Sequence, residues 1–349
     1  MNFIISLLFF SQNYNPIIAQ IIQQVSSDSI YKTIYRLQKF WTRHYLSDSM
    51  YKARLWIKSK FENYGYVTKE HIFFYGREQA NIIATKYGLL DTLNPIIISA
   101  HYDSRGLNWW QPPYGPAPGA DDNASGVSLL LEIARIIKNM NFNYTIRFVA
   151  FAAEEPGLVG SEKLADHYIQ NNMRIKYLFN VDMIGGDINY LNNKVIVEWD
   201  MGNQVDSNNS KSFAFAETLA TMYSLYTTLG TVYGNIFASD YLPFEAKGYT
   251  TLGLFEYHFN SGYHSEDDVI DSLDISYATT IIKGALAFIL HTAKFQQSFA
   301  KEKITFTNIS FPKYSFYDIT GRKININRST RGIYLQRGES QTKKIIKIK

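Results

Sequence analysis

Acids and histidines stand in this chain wherever an apolar run gives out. "NPIIISAHYDS" ends in His101 and Asp103, and "TIRFVAFAAEEPGLVGS" carries Glu154 and Glu155 just before a Pro-Gly turn. "YLFNVDMIGGD" contributes Asp182, "NSGYHSEDDV" contributes His264, and "PGADDNASG" sets Asp121 and Asp122 at the entrance of a helical pattern. Two carboxylates side by side at the end of a buried run repel each other, and desolvation makes the repulsion worse. A positive partner is therefore expected there. The chain has no cysteine, which excludes disulfides and thiolate metal sites. Two imidazoles with three or more carboxylates suit Zn²⁺ or a similar divalent ion. One closed zinc site takes four ligands, so a larger donor set implies two ions sharing a carboxylate. Such a pair, about 3.5–4 Å apart with a bridging water, can polarise a carbonyl and supply hydroxide at neutral pH. One carboxylate must then stay off the metal to take the proton of that water, a role worth roughly 10²–10⁴-fold in rate. The Glu154–Glu155 pair offers both kinds, one as ligand and its neighbour as base.

Each fragment alone also has an ordinary reading. His101 could be a core histidine, the adjacent glutamates a solvated pair, and "DDNASG" a helix cap. His258 is a rival to His264. His44, His71, His167 and His291 lie in helical or strand patterns without acidic company and read as structural or surface residues. The convergence of the acids and histidines on strand ends carries the argument, because open α/β sheets form their sites outside the carboxyl ends of strands.

Strands and helices alternate in the elements that must position these residues. Helical periodicity covers about 28–43, and a second helix follows the caps Ser47 and Asp48 with Leu55, Ile57 and Phe61 on its apolar face. "NPIIISAHYDS", "TIRFVAFAAEE", "YLFNVDM" and "YTTLGLFEY" read as strands. "NASGVSLLLEIARIIKNM", capped by Asn123, "SEKLADHYIQ", "KSFAFAETLATMYSLY" and "YATTIIKGALAFILHTAKF" read as helices. This order predicts a three-layer α/β/α sandwich around a mostly parallel sheet. After about Lys301 the pattern changes to short alternating strands split by Gly321, Gly332 and Gly338, a small C-terminal β module. Among 349 residues, 46% are hydrophobic and 19% charged, and the net charge of +4 is dispersed. No basic block of the kind that binds nucleic acid occurs. The apolar run from Phe3 to Phe10 is too short to span a bilayer and reads as a secretory signal without a leading Lys or Arg, with Ser11 and Ala19 as candidate cleavage points. No later segment reads as a membrane span.

The stretches "SAHYDS", "APGADDNASG", "AFAAEEPGLVGS", "NVDMIGG" and "YHSEDDV" resemble, in order and spacing, those of the secreted di-zinc aminopeptidases, a family that also holds glutaminyl cyclases and a glutamate carboxypeptidase branch. The resemblance covers roughly residues 25–298. It implies His101 and Asp182 as ligands of a first zinc, Asp121 as the bridging carboxylate, and Glu155 and His264 as ligands of a second. It further implies Glu154 as the general base, Asp103 as the acid that orients His101, and a non-proline cis peptide between Asp121 and Asp122. The tail, with "FYDITGRKI", "GIYLQR" and "KKIIKIK", resembles the sorting domain of type IX secretion substrates. It implies type IX machinery as a partner and export across the outer membrane of a bacterium to the medium or the cell surface.

The domain reading is a signal peptide at 1–19, a zinc peptidase domain at 20–298 and a sorting-like module at 302–349. The expected activity is removal of N-terminal residues from peptides. Trp109, Trp110 and Tyr114 are candidates for the wall of an apolar pocket or for packing of their Pro-rich loop. Tyr241, where many relatives carry His, either stabilises an oxyanion or packs. A glutaminyl cyclase-like acyltransferase and a non-catalytic peptide-binding module on the same fold are the alternatives.

Overall fold

Three consecutive isoleucines set the layering. In a strand, successive side chains point to opposite faces; Ile96 and Ile98 join one buried cluster and Ile97 the other. A run apolar at every position is thus the mark of a strand covered on both faces. The computed structural model describes residues 14–107, 110, 114–296, 315–317, 323–324, 332–337 and 342–348. The chain divides into two compact units, residues 1–297 and 298–349.

The first unit holds an eight-stranded sheet in the order β1-β2-β5-β3-β6-β9-β7-β8. Its centre is a parallel quartet: β3 (Asp91–His101), β5 (Tyr144–Phe151), β6 (Tyr177–Val181) and β9 (Thr251–Glu256). On one side β1 (Val67–Tyr75) and β2 (Arg77–Lys86) form an antiparallel hairpin that pairs with β5. On the other, β7 (Lys194–Trp199) runs antiparallel to β9 and parallel to β8 (Gly230–Asn235). A two-residue β4 (Asn141–Phe142) pairs with β10 (Phe295–Gln296). One face is covered by α1 (Pro16–Ile21), α2 (Ser27–Gln38), α3 (Asp48–Asn63), α4 (Gly126–Ile137), α6 (Asn209–Tyr226) and α8 (Ile275–Thr292). The other carries α5 (Val159–Gln170) and α7 (Leu242–Glu245), with Leu164, Tyr168 and Phe244 packed on Ile97, Val149 and Phe151. The expected α/β/α sandwich is present, with antiparallel pairing toward both edges.

Local chemistry explains several element ends. Ser47 accepts from Met50 N at 3.1 Å and starts α3. Asn123 Oδ1 accepts from Gly126 N at 3.0 Å and so caps α4 from just ahead of it. The helix expected over 28–43 stops at Gln38, with Trp41 in the left-handed region at φ 67°. Leu55, placed by periodicity on the apolar face of α3, is 44% exposed, whereas Ile57 and Phe61 are buried. α8 is long and apolar enough to cross a membrane, yet most of its residues are buried in the core. The signal segment lies largely outside the described residues. Of its two candidate cleavage points, Ala19 sits inside α1, next to the buried Ile18.

In the second unit, β11 (Ser315–Tyr317), β12 (Lys323–Ile324), β13 (Gly332–Arg337) and β14 (Thr342–Ile348) form an antiparallel sheet in the order β12-β11-β13-β14.

Candidate metal centre

The four parallel strands release their chains at one rim, and the acids and histidines meet there. His101 is the last residue of β3 and is buried. Its Nε2 lies 3.1 Å from Asp122 Oδ1 and 3.3 Å from Asp182 Oδ1, the latter just past β6. His264, in the loop after β9, places Nε2 3.0 Å from Asp122 Oδ2 and 3.1 Å from Glu155 Oε2. Asp122 therefore stands between the two imidazoles and gives one oxygen to each. One donor atom each from His101, Asp122 and Glu155 lie within 4.8 Å of one another, and so do those of His101, Glu154 and Asp182.

The structure corrects the sequence reading by one residue here. Asp121, expected as the shared carboxylate, turns away: its Oδ1 accepts from Gly185 N at 2.7 Å, and its carboxyl packs against that of Glu256. The non-proline cis peptide lies between Asp122 and Asn123, not between Asp121 and Asp122. Backbone anchoring decides which acid points inward. Asp268 accepts from Asp121 N at 2.8 Å and from Asp122 N at 3.0 Å. Asn123 Oδ1 also accepts from Met183 N at 3.2 Å. Buried Arg43 donates to the carbonyls of Tyr102, Pro118 and Gly119 at 2.8, 2.6 and 2.7 Å. Burial lowers its pKa to about 10, and Asp268 opposes the fall, so it stays cationic at neutral pH.

Asp103, expected to orient His101, has hydrogen bonds elsewhere. It stands 3.6 Å from His101 Nδ1, longer than a hydrogen bond. Its two oxygens accept the backbone N–H groups of Glu154 and Glu155, each at 3.1 Å. The adjacent glutamates are thus held by a third acid through their main chain. Ala153, Met183 and His264 take left-handed backbone at φ 56°, 55° and 56°. Such conformations cost about 1–3 kcal/mol in non-glycine residues and concentrate at functional sites. Ser239 Oγ donates to Asp182 Oδ2 at 2.6 Å. Arg105 donates to His264 Nδ1 at 2.9 Å from Nε and lies 3.3 Å from Glu155 Oε2. Arg43, Arg105, Asp268 and Ser239 were not singled out by spacing, because each acts from a different loop.

The electrostatics match a cation site. Burial pushes the Glu154 carboxyl well above its ordinary range; His101 pulls it back while Glu155 and Asp182 add to the rise. Burial, then Asp122, raises Glu155 to about 7. Burial also works against Asp122, yet donation from His101 and His264 holds its carboxyl below its usual value. His264 rises to about 9 despite desolvation, through Asp122 and Glu155. Glu155 Oε1 is buried with no hydrogen-bond partner. Crowded carboxylates, one with an orphaned oxygen, beside two imidazoles and no thiol are a donor set that fits Zn²⁺.

The rim opens into a cavity of about 400 Å³ whose wall includes Glu154, Asp182, Phe237, Phe255, Phe259 and Tyr263. Of the aromatic residues read as either pocket wall or loop packing, Tyr114 stacks on His44 at 3.9 Å and Trp110 is 74% exposed, neither of them in this wall, and Trp109 lies outside the described residues. Tyr241 also borders the cavity, but its hydroxyl lies within hydrogen-bonding reach of Glu198 Oε2 at 3.0 Å and Phe237 O at 2.9 Å, and accepts from Phe237 N at 2.8 Å. That supports packing rather than oxyanion binding. His258 stacks on Tyr190 at 4.8 Å. The structure brings together His101, Asp103, Glu154, Glu155, Asp182 and His264, and replaces Asp121 by Asp122.

This fold and rim define a metallopeptidase class, and residues 81–289 match Peptidase family M28; the chain belongs to that family. A probable zinc metalloprotease of Pyrenophora teres f. teres is 36% identical over 191 residues, 48% of this chain and 40% of that protein. The chain thus matches less than half the length of that relative. Leucine aminopeptidase 1 of Trichophyton equinum is 28% identical over 294 residues, covering 78% of this chain and 76% of that protein. Among solved structures, the LapA aminopeptidase of Legionella pneumophila shares the fold at TM-score 0.68 and 24% identity over 80% of this chain and 75% of that one. A glutaminyl cyclase of Porphyromonas gingivalis shares it at TM-score 0.64 and 19% identity over 76% and 98%.

Proposed function

We propose that this chain is a zinc aminopeptidase that hydrolyses the N-terminal residue of peptides. The observation that carries the reading is Asp122 placed between His101 and His264, with Asp182 beside one imidazole and Glu155 beside the other. Two donor groups joined by one carboxylate suit two ions. Bound there, zinc supplies a Lewis acid for the scissile carbonyl and brings a water's pKa near neutrality. Glu154 is the general base: it lines the cavity, burial raises its proton affinity, and its backbone is fixed by Asp103. It takes a proton from the attacking water and returns it to the amine as the C–N bond breaks, so both products leave neutral in balance. Phe237, Phe255 and Phe259 suit an apolar side chain on the departing residue, in keeping with the leucine aminopeptidase name of one relative.

The test uses the full chain loaded with zinc and two unblocked peptides, one beginning with Leu and one with Gln, with a chelated control. Stepwise, chelator-sensitive loss of N-terminal residues is expected. Loss of ammonia from the Gln peptide alone means a cyclase, and no change in either means a binding module. The same reading includes export through the C-terminal unit, supported by its antiparallel sheet and the terminal "KKIIKIK". Removing residues 298–349 is then expected to leave the protein inside the producing cell, and unchanged delivery refutes it.

A further inference from the structure

We propose that the cavity between the β1–β2 hairpin and α5, separate from the metal centre, binds a small oxyanion: a phosphate or carboxylate group. The cavity holds about 290 Å³ and is lined by Lys69, His71, Arg147, His167 and Tyr168. Its two histidines have their tautomers fixed by neighbours. Asn81 Oδ1 accepts from Ala152 N at 3.0 Å and its Nδ2 donates to Gly160 O at 2.7 Å, so its amide cannot be turned over. The group 3.2 Å from His71 Nδ1 is therefore an NH₂ donor, and Nδ1 must accept. Asn171 Nδ2 likewise donates to His167 O at 2.7 Å and faces His167 Nδ1 at 3.3 Å. With Nδ1 taken by an amide NH₂, each ring carries a proton on Nε2. Neither has a lone pair left for a metal; each has an N–H to give.

The remaining polar groups have the same sense. Arg147 spends one of its five donors on Tyr168 Oη at 2.8 Å. Lys69 adds a second cation. Among the described lining residues Glu70 is the one acid, and its carboxylate is taken by Arg54 at 2.6 Å and Lys58 at 3.1 Å. Burial, then His167, keeps His71 below the ordinary imidazole value, so it donates as a neutral ring at neutral pH while Arg147 and Lys69 supply the charge. A cavity that offers N–H donors and positive charge, with its acid already paired, is complementary to an oxyanion.

The test is calorimetric titration of the full zinc-loaded chain with inorganic phosphate and, separately, acetate. Saturable uptake of either ion is expected, and which ion binds identifies the source. His167→Ala, at an exposed position, and Arg147→Gln are each expected to weaken it about tenfold or more, since a charge-assisted bond is worth about 1.5–3 kcal/mol. Turnover of an unblocked peptide should not change in either variant. No saturable uptake of either ion by about 10 mM overturns the proposal. So does uptake undiminished in both variants, which would place the anion at the metal centre.

Discussion

Exchanging each aspartate of the adjacent pair for asparagine should give opposite results. Asp122 accepts from both imidazoles, at 3.1 and 3.0 Å, so Asp122→Asn removes the one charge common to both halves of the centre. Loss of a residue that merely orients a ligand costs about 10–100-fold in metal affinity. A carboxylate shared by two ligand groups should cost more than about 100-fold. Asp121→Asn is different. The amide oxygen still accepts from Gly185 N, and the new NH₂ faces the carboxyl of Glu256. Its effect on stability should stay within about 1 kcal/mol, a shift in Tm of about 2–4 °C. The assay is zinc content after dialysis against a competing chelator, followed by turnover of an unblocked Leu peptide. Asp122→Asn should emerge depleted and inactive, Asp121→Asn loaded and active. Zinc lost from Asp121→Asn and kept by Asp122→Asn would refute the assignment and restore the reading that the family resemblance implied.

Glu154→Gln should lower kcat by roughly 10²–10⁴-fold with zinc content unchanged, and retention of more than about a tenth of wild-type kcat removes Glu154 as base. Arg105→Leu should tighten zinc at His264 and Glu155: a histidine bound through Nε2 normally donates from Nδ1, whereas Arg105 is itself a donor to that atom, and unchanged zinc stoichiometry at limiting metal counts against it. Glu198 gives a pH test on metal-free protein, since burial raises its pKa to about 8. The folded state keeps a proton the unfolded chain releases above about pH 4.3, so this contribution is full below that value and lost as pH rises toward 8. Glu198→Gln should flatten that part of the urea-stability profile, and an unaltered slope would sink the assignment.

What the sequence could disclose depended on whether a residue's surroundings are local. The parallel quartet was legible because β3, β5, β6 and β9 are covered on both faces and read as apolar runs. β1 and β8 were not, because they lie at sheet edges and alternate between exposed and half-buried positions. Leu55 failed for the opposite reason: helical spacing put it on the inner face, but α3 turns that position outward. His101, Glu154, Glu155, Asp182 and His264 could be picked because strand ends must converge in a parallel sheet. Choosing between Asp121 and Asp122 was beyond spacing, since Asp268 in a distant loop sets the direction of both side chains.

The number of acids at the rim exceeds what any metal centre needs, and the hydrogen bonds sort seven of them into two sets. Asp122, Asp182 and Glu155 lie against histidine nitrogens. Four more accept main-chain N–H groups: Asp103 from Glu154 and Glu155, Asp268 from Asp121 and Asp122, Glu256 from Gly186 and Asn260, Asp121 from Gly185. Loops at strand ends leave N–H groups without a ladder partner, and burying those unpaired is costly. Carboxylates with two oxygens each can satisfy two at once and fix the loop that bears the next ligand. Both sets draw on Asp and Glu, so a motif read as letters counts them together. This is why "GADDNASG" gives the right chemistry with the wrong residue, and why the positive partner sought by Glu154 and Glu155 belongs to the whole rim rather than to their own strand.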